Sequence, residues 1–147
     1  MKSSLRPGVS RVTRTKIDRE RTIGFMGEEA RTYATPSMIL DVEHACRALI
    51  LEHADAGEDS VGMEVAIKHL APTLLGMTAE ISVKVMSVEG RKIVFEAVVK
   101  DELDTVGAGT HTRFVVDKAK TLERLKAKAA RFAAHSGETH GEQRPQG

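Results

Sequence analysis

The chain has 147 residues, 41% of them apolar and 29% charged, with a net charge of +1 at pH 7. That length and balance suit one domain with its own core and exclude a disordered body. No apolar run approaches the roughly 18 residues of a membrane span, and the opening MKSSLRPGVSRVTR lacks the apolar stretch of a secretory signal. The expectation is a cytoplasmic protein with no membrane segment. One cysteine, Cys46, excludes an internal disulfide and a clustered-thiolate zinc site.

Residues 9 to 17, with several β-branched side chains and weak alternation, predict an edge strand. Residues 22 to 34 are irregular and contain glycine, as expected of a loop or short helix over a cleft. Thr35 and Pro36 then open a helix, the threonine hydroxyl serving as N-cap and the proline as first helical residue. Met38, Val42, Ala45 and Leu49, flanked by Ile39, Cys46 and Ile50, keep helical spacing to about His53. Glu43 falls on the flank of that stripe, where its plain structural role is to pair with a strand Lys or Arg.

Four strands follow. Val61, Met63, Val65 and Ile67 alternate with Gly62, Glu64, Ala66 and Lys68, and this parity aims His69 inward with the apolar row. A second alternating strand holds Ala79, Ile81, Val83 and Val85. After a tight turn at Glu89-Gly90, Lys92 to Lys100 is apolar on both faces and therefore central. Val106 to Val116 forms the last strand, and Gly107 and Gly109 in it mark a bulge or a close backbone approach.

Leu122, Leu125, Ala129 and Phe132 predict an amphipathic helix from about 118 to 134. It closes a single domain of residues 1–135, and the Gly-, Gln- and Pro-containing residues 136–147 read as a flexible tail. The order is that of an α+β fold in which one long helix packs across a twisted antiparallel sheet.

The small net charge hides segregation. Residues 1 to 21 carry seven Lys or Arg against two acids, residues 118 to 135 six against one, and residues 22 to 117 eight against sixteen. Basic ends suit the phosphates of a nucleotide-like molecule such as coenzyme A. With no Trp and one Tyr the chain lacks stacking platforms for bases, and no nucleic acid is expected.

His69, at the inner end of a strand, suits a general base or a proton-holding orienter, or a histidine satisfied by a carbonyl. Thr35 and Glu43 lie eight residues apart, about 12 Å along one helix, so substrate or another segment must bridge them. His111 and Arg113 share one face of the last strand. His44, His53 and His111 show no metal-ligand spacing, and no metal is expected.

Ala34-Thr35 leading into the helix with Glu43, the run from Ser60 through Gly62 and His69 to Thr73, and Gly109-Thr110-His111-Thr112-Arg113 together resemble the hotdog-fold thioesterases, in particular the fluoroacetyl-CoA thioesterase-like group. The resemblance runs from about Leu5 to Lys120. It implies a hotdog fold, with a curved antiparallel sheet wrapped around one long helix, and a homodimer with active sites at the subunit interface; a tetramer stays open. Thr35, Glu43 and His69 fall on the family's catalytic triad, Gly62 on the glycine that places the acyl group, and Arg113 on an arginine of the substrate region. The implied activity is hydrolysis of a small or medium acyl-CoA thioester, with coenzyme A as part of the substrate and no separate cofactor. A non-catalytic acyl-CoA binding protein and an enoyl-CoA hydratase are the alternatives. The family's gating phenylalanines have no counterpart at Glu29, so the resemblance carries the hydrolytic groups and not the fluorinated substrate.

Overall fold

The computed structural model of the chain describes residues 1–139. Its elements run β1 (Ser10–Lys16), β2 (Thr22–Ile23), β3 (Thr32–Tyr33), α1 (Thr35–Glu52), β4 (Glu58–His69), β5 (Thr78–Glu89), β6 (Lys92–Lys100), β7 (Thr105–Asp117) and α2 (Lys118–Thr139). One antiparallel sheet has the order β1-β5-β6-β7-β4, and β2 pairs with β3 in a separate ribbon. The doubly apolar β6 is central and β1 is an edge, as the patterning predicts. Ile93, Phe95, Ala97 and Val99 of β6 and Ala79, Ile81, Val83 and Val85 of β5 bury against Met38, Val42, Ala45, Cys46, Leu49 and Ile50 of α1. One face of the sheet thus wraps one long helix, the α+β arrangement expected.

The alternation in β4 does not hold along its whole length. Glu43 of α1 lies against Gly62, and Thr35 at the start of α1 meets His69, so both strand positions face the helix. They are an odd number of residues apart, which an unbroken strand forbids. The pairing with β7 slips between Gly62 and Glu64, and this bulge inserts Met63 and reverses the parity. Val61, paired with Phe114, therefore faces away from the helix, whereas Val65, Ile67 and His69, paired with His111, Gly109 and Gly107, face toward it. The single row read from the sequence is two rows on opposite faces.

Residues 22–34 hold a short 3-10 helix at Glu28–Ala30, within the loop or short helix expected there, and in addition the two strands of the β2–β3 ribbon on either side of it. The ribbon is tied to α1 by a buried hydrogen bond from the Tyr33 hydroxyl to Asp41, whose other partner is the Arg21 guanidinium at 3.0 Å. Burial and the Asp41 carboxylate raise the Tyr33 pKa and keep the phenol protonated.

The basic amino-terminal segment is largely neutralised in three dimensions. Arg11 pairs with Glu52, Arg14 with Glu80, Arg19 with Glu28 and Arg21 with Asp41. α2 continues to Thr139, so residues 136–139 of the expected tail are helical and the remainder lies outside the described residues. Its Leu122, Leu125 and Phe132 are exposed, the first two flanking a groove with Val61 and Val116. Among the described residues, no helix is long and apolar enough to cross a membrane.

Candidate active site

α1 runs antiparallel to β4, and three cross-ties fix the two elements. Thr35 meets His69, Glu43 meets Gly62 and Arg113, and Arg47 pairs with Asp59 at 2.7 Å. The first tie corrects the role expected of Thr35. Ala34, not Thr35, is the N-cap: its backbone is extended and its carbonyl accepts the first helical bond from Met38 N–H. Thr35 is consequently the first helical residue, and its hydroxyl is free to turn outward. Its Oγ1 lies 2.7 Å from His69 Nδ1.

His69 also packs edge-on to the Tyr33 ring, with centroids 6.5 Å apart. Burial lowers its pKa from the usual value of 6.5, because the imidazolium loses hydration and gains no counter-charge. The ring is neutral at neutral pH. Protonated at Nε2, it accepts the Thr35 hydroxyl at Nδ1, which is the relation of a general base to a nucleophile. His69 Nε2 is itself buried and makes no hydrogen bond among the described residues.

A cleft of about 640 Å³ opens over this pair, lined by Ile23, Phe25, Tyr33, Leu70, Ala71 and Pro72. The β2–β3 ribbon therefore covers a cleft, as expected of residues 22–34. Phe25 is 86% exposed and still forms part of the wall. It is an aromatic that the sequence reading, looking at Glu29, missed. Gly27, at φ 101°, turns the chain at this point in a conformation side chains resist.

The second group of residues surrounds Glu43. Arg113 is only 3% exposed, and its Nη1 lies 3.1 Å from Glu43 Oε2, so the strand partner expected for Glu43 is present. The same guanidinium donates from Nε to Ser60 Oγ at 2.7 Å and from Nη2 to the Ser60 carbonyl at 2.8 Å. Its Nη1 also lies 3.2 Å from His111 Nε2. The enclosed guanidinium faces Glu43 rather than solvent. Ser60 and His111 complete this cluster. In the sequence Ser60 carries no role of its own beyond heading the β4 run, and the signal for His111 is the face it shares with Arg113.

Gly62 is where the carboxylate fits. A Cβ there would overlap Glu43 Oε2 and stand 3.4 Å from His111 Cε1 and 3.5 Å from Arg113 Nη1. Because the obstructed atom ends a flexible side chain, Gly62→Ala should melt within a few degrees of wild type yet turn over about 10²-fold more slowly, as expected when a reacting group is displaced by an ångström or so. Paired melting curves and steady-state assays check this; wild-type turnover in the variant would remove Gly62 from the site.

The structure brings Thr35 to His69 and Glu43 to Gly62 and Arg113, but it does not bring the two sets together within one chain. Eight residues of helix, a rise of about 12 Å, separate Thr35 from Glu43. Among the described residues, no group of His, Cys, Asp and Glu side chains is placed to hold a metal ion.

The family model described as fluoroacetyl-CoA-specific thioesterase matches residues 17–119. The chain belongs to that family. Its sequence is 33% identical over 101 residues to the fluoroacetyl-CoA thioesterase of Streptantibioticus cattleyicolor, covering 69% of this chain and 70% of that one. The solved structure of a fluoroacetyl-CoA thioesterase superposes with a TM-score of 0.78 at 26% identity, over 84% of this chain and 97% of the other. A Thermus thermophilus protein described as a thioesterase superfamily member gives 0.81 at 29% identity, over 87% and 96%. The fold of this thioesterase is accordingly the hotdog fold, and the family match ends at the beginning of α2.

Proposed function

We propose that this thioesterase hydrolyses a small or medium acyl-CoA thioester to the free acid and CoA, at a site composed of two protomers of a cytoplasmic homodimer. The observation that carries the reading is the 2.7 Å contact between Thr35 Oγ1 and His69 Nδ1 beside the cleft. Thr35 attacks the thioester carbonyl or orients the water that does so. His69 takes the proton and returns it to the leaving thiolate. N–H groups of the first turn of α1 have no carbonyl partner within the helix and carry the positive end of its dipole, which suits the oxyanion that develops.

Glu43 enters from the second protomer. β4 is one edge of the sheet, bonded among the described residues to β7 alone, and Met63 and Val65 stand 57% and 43% exposed along it. A free edge with apolar side chains invites pairing with another copy. Antiparallel pairing of two β4 strands brings the His69 end of one toward the middle of the other, where Glu43 lies against Gly62. A carboxylate arriving there would give the buried His69 Nε2 the acceptor that no described residue of its own chain supplies. The same carboxylate acts as nucleophile or base toward the acyl carbon.

The test is thiol release from a panel of acyl-CoAs, followed by subunit mixing. His69→Ala and Glu43→Ala homodimers should each be nearly inactive. Refolded together they should regain activity, because every mixed dimer holds one site without a lesion. Mixing that restores nothing, with subunit exchange verified, would place the catalytic groups in one chain. CoA thioesters bound but not cleaved would leave a binding protein, and hydration of crotonyl-CoA without thiol release would leave a hydratase.

A further inference from the structure

Resting on that reading, the geometry points to His111 as a positioning residue, working only in its neutral form, that sets Arg113 and through it the carboxylate of Glu43. A backbone carbonyl can only accept, so the 2.9 Å contact between His111 Nδ1 and the Glu64 carbonyl puts the ring proton on Nδ1. Nε2 of the neutral ring is then a lone pair, and it accepts from Arg113 Nη1 at 3.2 Å. Ser60 takes the other side of the guanidinium through Oγ and its carbonyl. Held from both sides, Arg113 has one direction left in which to present Nη1, toward Glu43 Oε2. Glu43 Oε1 makes no hydrogen bond to the chain among the described residues and is the oxygen available to the reaction.

Protonation of His111 would place an N–H where Nε2 now accepts, directly against Arg113 Nη1. Two like charges would then meet in a site where both side chains are only 3% exposed. The charged and titratable groups around the ring are few. Arg113 stands beside it on β7; from α1 come Glu43 and, next along the helix, Cys46, whose thiol burial pushes up to about 12 so that it stays neutral. β4 contributes the Glu64 carbonyl and Ser60, and β6 the apolar Phe95. Asp59 acts on Arg113 but is committed to Arg47. Burial lowers the His111 pKa most and Arg113 adds to it, while the Glu64 carbonyl, as acceptor of the ring proton, and Glu43 only partly offset them. The neutral ring is therefore the resting form, and it is lost as pH falls below the usual histidine value of 6.5.

The experiment compares wild type, His111→Leu and His111→Gln in the full chain, each checked for folding by circular dichroism. His111→Leu should lower kcat about tenfold with KM changed less than twofold, and His111→Gln, which keeps an acceptor toward Arg113, should recover most of the loss. In a Glu43→Gln background His111→Leu should cost nothing further. The acid limb of the wild-type profile should be steeper than that of His111→Gln by one ionisation. A melting temperature that falls with kcat unchanged, or full additivity with Glu43→Gln, would overturn the proposal. NMR gives a readout that does not need turnover: imidazole nitrogen shifts should show His111 as the Nδ1–H tautomer, and the Glu43 carboxyl carbon should step as His111 titrates, a step absent in His111→Gln. A hydrolysis-dead wild type that shows this step would sink the proposed reaction alone; an active one without it would sink the role of His111 alone.

Discussion

His69→Ala should slow thiol release by about 10²–10⁴-fold, the range general acid–base catalysis supplies, while the protein melts close to wild type. Both halves follow from the local structure. The imidazole touches Thr35 Oγ1 at 2.7 Å, so its loss deprives the hydroxyl of the base it contacts. Thr35 is exposed, and water replaces the lost hydrogen bond at little cost. Removing the ring also removes a buried Nε2 that has no hydrogen bond among the described residues. The pH profile adds a sign. Because desolvation depresses the folded pKa of His69, the neutral base persists through pH 7, and activity falls only on the acid side of the ordinary value of 6.5. The same linkage removes stability as pH falls through that range, since the unfolded chain then binds the proton more readily. A variant within a few-fold of wild-type turnover would end the assignment of His69 as the base.

Gly109→Ala should act on the fold instead, lowering its stability. Gly109 pairs with Ile67 across β4 and β7, and an added Cβ would overlap the Ala66 carbonyl oxygen and stand 2.7 Å from Ile67 Cα. Every nearby atom is strand backbone, which cannot swing aside as Glu43 can from Gly62. Relief requires β4 to move off β7 at the end that carries His69. Overpacking of this kind costs about 3 kcal/mol, equivalent to a melting temperature lower by about 6–12 °C for a chain of this length. An unchanged melting temperature would show that the strands separate there at no cost. The two glycines together distinguish a place made for a side chain from a place made for a backbone.

Much of this molecule is written in local periodicity. α1 is legible because Met38, Val42, Ala45 and Leu49 recur on one face, and β6 is legible as the central strand because both its faces are apolar. The family is legible through the residues around Thr35, Gly62, His69 and Arg113 that resemble the thioesterases. Their arrangement is less so. Thr35 looks like an N-cap in any reading of Thr-Pro before a helix, and it is released from that role because Ala34 supplies the capping carbonyl.

Periodicity reports side-chain direction only while the period is unbroken, and the bulge at Met63 breaks it with no mark in composition beyond the neighbouring glycine. The neutralisation of Arg11, Arg14 and Arg21 depends on Glu52, Glu80 and Asp41, which lie 20 to 66 residues away. The burial of Arg113 likewise needs Ser60, 53 residues earlier. Element type, element order and the chemical kinds of side chain present follow from neighbours along the chain, because backbone preference and burial pattern act over a few residues. Which face His69 joins, which charges cancel and which carboxylate Arg113 holds follow from contacts between distant segments, which exist only once sheet and helix have packed.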